Sequence, residues 1–172
     1  MFEVNIVTNN SQTEFEYICA DILNDEMFKK LNYEWHHGIT RYEHSIRVAK
    51  NTLKVCKLFK LKNYKDITRA ALLHDFYVDS QMKNLDAYQK LSVHPGLALT
   101  NAKKYYKLNK VQEDIIKNHM FPMTKTFPKT KEGVIVSLTD KVVAGYEMCH
   151  FKLNLQVSFT IILIANFLNV SN

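Results

Sequence analysis

Six side chains in this 172-residue sequence are of the kinds that bind divalent metals: His44, the adjacent His74 and Asp75, His94, His119 and Asp140. The doublet follows Arg69, Ala70, Ala71, Leu72 and Leu73, a run of good helix formers where an imidazole and a carboxylate are costly to bury unless something compensates them. A metal is the usual compensator. The other four lie before and after the doublet at intervals of about one helix plus one loop, so that each can reach a common centre from its own helix. Imidazole nitrogen and carboxylate oxygen without a thiolate suit borderline or hard divalent ions such as iron, manganese, zinc, nickel or magnesium, and iron is the ion expected here. Six ligands exceed the need of one tetrahedral ion. A carboxylate such as Asp75 can bridge two ions about 3.5 to 4 Å apart, and such a pair activates water as hydroxide while neutralising a phosphate under attack.

The elements that must carry these residues read as helices. Residues 2–7 alternate loosely and predict a short extended arm. Ser11 and Glu14 then have the spacing of a capping box, and Phe15, Ile18, Cys19 and Ile22 follow at helical spacing. Asn24 and Asp25 mark a break before a shorter helix through Leu31. Trp35, His36, His37 and Gly38 form a linker, and a second capping box, Thr40 with Glu43, puts His44 in the first turn of a long helix that buries Ile46, Ala49, Leu53 and Cys56. The lysines at 50, 54, 57 and 60 form its solvated side. The helix leading to the doublet starts near Asp66 as its N-cap, and Ala70 and Ala71 let a neighbouring helix come close. Pro95 suits a first helical position, which places His94 at a helix N-terminus. Asn109 or Lys110 opens the helix that His119 closes, with Val111, Ile115 and His119 on one face. A loop over 120–131 follows. The next helix, from Glu132 to about Met148, carries Asp140 on the stripe of Val136, Val143 and Ala144.

The totals set the frame. A single domain with a real core is the expected size class, and 47% hydrophobic with 23% charged residues and few glycines and prolines favours a compact, largely helical chain. The net charge of +6 suits an anionic substrate and selects no site. Three cysteines without metal-type spacing argue against a disulfide framework and for a reducing cytoplasm. The N-terminus lacks signal-peptide features. The apolar stretch 157–168 is shorter than the roughly 20 residues a spanning helix needs, so no membrane association is expected. The tyrosines and lysines near 105 fit an amphipathic helix better than a nucleic-acid patch, and no glycine-rich phosphate loop is present.

On His44, the His74–Asp75 doublet and Asp140 the sequence resembles the HD superfamily of metal-dependent phosphohydrolases over roughly residues 37–148. The resemblance implies an all-α, compact, single-domain helical bundle with the metal site at its centre. In this division, 1–36 form N-terminal helices, 37–148 the metal-binding core and 149–172 a C-terminal capping helix. Members with a second metal place two further histidines between the doublet and the last aspartate, and His94 and His119 look like those. The pattern also resembles that of bacterial dinucleoside tetraphosphate hydrolases, which show a histidine opening one helix and another closing the next. The resemblance implies two divalent ions and a small phosphorylated substrate, a nucleotide in kind, and a homodimer is an expectation beside them. Arg41, His37 and Lys141 are candidates for holding the substrate phosphate, and Asp75, Asp79 and Lys141 for the catalytic step. Asp79, four residues beyond Asp75, is placed to orient a ligand histidine or to move a proton. His36 and His150 read as structural or surface residues. The same ligands would serve a di-iron oxygenase of this superfamily, or a regulatory module that keeps the metal cage without turnover. Gly145 and Tyr146 are followed by Glu147, so the Gly-Tyr-Pro triplet of cyclic dinucleotide phosphodiesterases is absent.

Overall fold

The computed structural model describes residues 3–36 and 38–170, with side chains described for 13–35, 38–156, 158 and 162. Among these, seven α-helices, two short 3-10 helices (Lys30–Tyr33 and Asp79–Met82) and one β ribbon of two two-residue strands account for the regular structure. The helices are α1 Glu3–Asn24, α2 Glu26–Lys29, α3 Arg41–Leu58, α4 Tyr64–Leu73, α5 Ala87–Tyr105, α6 Lys110–Asn118 and α7 Lys131–Val170. The ribbon pairs β1 Trp35–His36 antiparallel with β2 Ile39–Thr40. Gly38 makes the turn at φ +89, a left-handed conformation that costs glycine nothing.

The short helix α4 is the hub, packed against α3, α6, α1, α5 and α7. Ala70, Ala71, Leu72 and Leu73 are all at most 1% exposed, and the two alanines allow the close approach that lets side chains from other helices reach one point. Phe15, Ile22, Phe28, Leu31, Leu53, Ile67 and Ile115 complete the core. Each of the larger side chains contributes roughly 1.5–3 kcal/mol by leaving water.

Several boundaries differ from those the sequence suggests. Helix α1 begins at Glu3 rather than after an extended arm, and Ser11 and Glu14 lie inside it. No proline or glycine interrupts residues 3–24, so the helix needs no new start at Ser11. In the linker, Trp35 and His36 form the first strand of the β ribbon. The first helical residue of α4 is Tyr64, after Asn63 as N-cap position, and Asp66 lies in the first turn, where its charge faces the positive helix end. Its last helical residue is Leu73, so His74 and Asp75 sit in the turn just beyond the helix. Helix α5 opens with a capping box formed by Asp86 and Gln89, two turns before His94. Pro95 is thus inside the helix. That box satisfies free backbone donors at the true start, and this outweighs the preference of proline for a first turn. The capping box at Thr40–Glu43 forms where the sequence places it, and α6 starts at Lys110 as expected, with Asn109 and Gln112 forming a further capping box there. The helix expected to end near Met148 runs on to Val170. Residues 149–156 are exposed throughout, so this part of the C-terminal segment does not cap the bundle.

Asp114, on α6, closes the loop before α7. Its carboxylate accepts from the backbone N–H groups of Lys129 (3.0 Å) and Thr130 (2.9 Å), the Thr130 hydroxyl (2.7 Å) and the Asn118 amide (2.7 Å). Burial opposes its charge, but these four donors outweigh it and hold the pKa below the usual value. Replacing Asp114 with asparagine is expected to cost about 1–3 kcal/mol of stability at neutral pH, measured by urea unfolding. Because the folded-state pKa is depressed, the contribution is complete above the unfolded value of about 3.9. It is lost as pH falls through the folded value, so the gap between wild type and variant closes in acid.

Candidate metal centre

The end of α4 delivers the doublet to the middle of the bundle. His74 is 0% and Asp75 3% exposed. His44 comes from the first turn of α3, His94 from the third turn of α5, His119 from the last residue beyond α6, and Asp140 from the inner stripe of α7. All six are buried and face one another. His44 Nε2 lies 3.1 Å from Asp140 Oδ1, and His74 Nε2 lies 3.7 Å from the same oxygen and 3.6 Å from Asp75 Oδ2. On the other side of the doublet, Asp75 Oδ1 is 3.5 Å from His94 Nε2 and 3.4 Å from His119 Nε2, and those two nitrogens are 3.0 Å apart.

The outer nitrogen of each imidazole is already committed. Nδ1 of His74 faces the Ala71 carbonyl at 2.7 Å, that of His94 the Lys90 carbonyl at 2.9 Å, and that of His119 the Ile116 carbonyl at 2.8 Å. Nδ1 of His44 faces Glu147 Oε2 at 2.8 Å. A carbonyl or carboxylate can only accept, so Nδ1 carries the proton in each ring and Nε2 is directed at the centre.

These side chains fit a metal ion. Ligand atoms held about 2.1 Å from one ion stand roughly 3.0–3.4 Å from each other, close to the separations above. Two sets of three, His44 with His74 and Asp140, and His74 with Asp75 and His119, keep all ligand atoms within 4.8 Å of one another. His74 Nε2 and Asp75 Oδ1 are buried without a hydrogen-bond partner, an arrangement that is expensive unless a cation satisfies them.

The electrostatics agree. Burial opposes a charge on His44, but the hydrogen bonds to Asp140 and Glu147 outweigh it and push the imidazole up to about 10. Burial dominates at His74, which is pushed down to about 4, and also lowers His94. Burial works against the Asp75 and Asp140 charges too, yet the imidazoles around them, with Lys141 beside Asp140, hold both well below the carboxylate range. Two carboxylates that keep their charge in a buried place, beside the imidazoles of His74 and His94, which resist theirs, form a socket for a cation. A metal competes there with protons.

Other residues singled out in the sequence have different surroundings. Lys141 Nζ holds Asp140 Oδ2 at 2.6 Å and the His119 carbonyl at 3.1 Å, so it orients one ligand and ties down the helix end of another. Arg41 is 3% exposed. Its guanidinium donates to Asp79 Oδ1 (2.9 Å), the Tyr77 carbonyl (3.2 Å) and Glu34 Oε2 (3.4 Å), and it lies 4.0 Å over the Tyr77 ring. It clamps the loop after the doublet instead of presenting its charge to a substrate. Asp79 is that clamp's exposed partner. The one-turn spacing from Asp75 does not apply, because α4 ends at Leu73 and Val78 is extended, which carries Asp79 outward. His37 lies outside the described residues. His150 is exposed and meets Asn154.

Glu147 is the residue that the sequence reading missed. It is 3% exposed, holds His44 and is itself met by Arg47 Nη1 at 3.4 Å. Its signal was present: Glu147 stands seven residues after Asp140 on the buried stripe of α7. Tyr77 was missed as well. Its ring, under Arg41, lies 5.2 Å from that of His94. Replacing Glu147 with alanine is expected to lower metal affinity roughly 10–100-fold, the usual effect of removing a partner of a ligand histidine. Metal-titration calorimetry measures it.

The HD domain matches residues 41–145 of this chain. The chain belongs to the HD domain family, whose members are in general metal-dependent phosphohydrolases. The matched span contains all six convergent residues. No curated protein and no solved structure matches the chain. Among the described residues, no helix is long and apolar enough to cross a membrane.

Proposed function

We propose that the chain is a cytoplasmic phosphohydrolase that uses two divalent ions, iron foremost, on a small phosphorylated substrate such as a nucleotide or dinucleotide. The observation that carries this reading is the division of Asp75: Oδ2 faces His74, on the side of His44 and Asp140, while Oδ1 faces His94 and His119. In this reading His44, His74, Asp140 and Asp75 hold one ion, and His94, His119 and Asp75 the other. When bound, such a pair lowers the pKa of water and offsets the charge of a phosphate under attack. The chain's own contribution is to fix the four Nε2 lone pairs through their Nδ1 partners, to keep both aspartates ionised and to exclude water behind the site with α4. Lys141 keeps Asp140 in place and adds positive charge near the developing negative charge. The phosphohydrolase class is supported by the HD domain match over residues 41–145, and the nucleotide is part of the proposal.

Elemental analysis of protein purified without chelators tests the two-ion reading: two equivalents of a transition metal support it, and one equivalent removes His94 and His119 from the ligand set. A screen of nucleotides and dinucleotides with phosphate detection tests the reaction. Metal-dependent phosphate release without oxygen is the expected result. Turnover that requires both iron and oxygen would assign the same ligands to an oxygenase, and metal binding without turnover to a regulatory module.

A further inference from the structure

A groove of about 1010 Å³ runs between α3 and α7 and is closed at one end by the β ribbon. Its walls include Ile39, Val55, Leu138, Val142, Tyr146 and Phe151. Val142 is 72% and Tyr146 62% exposed. A contiguous apolar face of this kind marks a binding surface more often than bare solvent contact. The same molecule carries a second apolar segment, exposed at the side chains that are described. Beyond Met148 the helix α7 continues to Val170, a further reach of roughly 33 Å at 1.5 Å per residue. Residues 153–170 contain no charged side chain, and Leu153, Leu155 and Ile162 are about half exposed.

We infer that a second copy of this chain fills the groove, the α7 extension of each protomer lying in the α3–α7 groove of the other. The chain's own extension cannot fold back into its own groove. Phe151 and Asn154 of α7 line that groove, and the helix passes straight on through residues 150–156 with neither glycine nor proline to turn it. Exchange between copies covers both surfaces without breaking the helix, and a two-fold pair closes the contact so that it does not propagate. The size is sufficient. Eight large apolar side chains on α7, from Leu138 to Ile162, are each at least 40% exposed. At roughly 100 Å² apiece they offer about 800 Å² per protomer, the share each partner contributes to a standard stable interface. The absence of charge in the extension matches the composition of interface centres.

The test is the mass of the full chain across a concentration series, by light scattering or sedimentation. The expected particle is a dimer of the 20.1 kDa chain. Val142→Glu alters the groove, and the double change Leu153→Glu with Leu155→Glu alters the extension. Each is expected to weaken association on the order of 100-fold by placing charge in the contact. Far-UV circular dichroism should stay unchanged, because all three side chains are exposed in the protomer. Mixing the two variants should restore a dimer, since one intact extension then meets one intact groove. A monomeric wild type overturns the inference. So does association that survives Val142→Glu, which would mean that the extensions pair with each other, or a mixture that fails to associate. These readouts depend on mass alone and are separate from metal content and phosphate release.

Discussion

Replacing Asp75 with alanine is expected to abolish both metal retention and hydrolysis. Among the described residues, Asp75 is the one whose two oxygens face different histidines, so its loss removes a candidate ligand from each side of the centre. Asp75 Oδ1 lies 3.4 and 3.5 Å from the two outer histidines and Oδ2 lies 3.6 Å from His74. Losing a group that holds the reacting centre costs at least on the order of 10³-fold in turnover. Elemental analysis and phosphate release measured on the same preparation check the two parts. Asp75→Asn serves as a control of nearly equal shape, and circular dichroism establishes that each variant folds. A variant that keeps full activity would end the metal-dependent reading.

Supplying a divalent transition metal to chelator-treated protein should raise its unfolding temperature. The cause is local. His74 Nε2 and Asp75 Oδ1 are buried without hydrogen-bond partners, and Asp75 and Asp140 hold their charges in a buried place. A cation that binds only the folded chain stabilises it by about 2.7 kcal/mol at a free concentration 100 times its Kd. Differential scanning calorimetry with increasing metal reads the shift, and Asp75→Ala should show almost none. An equal rise in wild type and variant would mean that the ion binds elsewhere. Acid should weaken the effect, since protons compete for the same imidazoles.

The chemistry was legible because donor types are visible in a sequence. An aspartate among Val136, Val143 and buried neighbours at helical spacing must face inward, and so must a histidine that follows Val111 and Ile115 on one face. The capping box at Thr40 and the helix opening at Asn109 or Lys110 gave two helix starts and thereby the places of His44 and His119. The weak points were termini. Pro95 pointed to a helix start that Asp86 and Gln89 had already supplied, and an i+4 spacing from Asp75 to Asp79 was read through a helix that ends before either residue.

By itself the sequence determined the helical class and the six candidate metal-binding side chains with their inward faces, because side-chain chemistry and a 3.6-residue period are local properties. Only the tertiary structure decided which nitrogen of each histidine turns inward, how the two oxygens of Asp75 divide between neighbours, and that Arg41 serves the loop rather than a substrate. It also brought in Glu147, 103 residues from the histidine that it holds. Those outcomes depend on atoms that meet across α3, α5, α6 and α7 only after α4 has packed between them, and no local periodicity encodes that meeting.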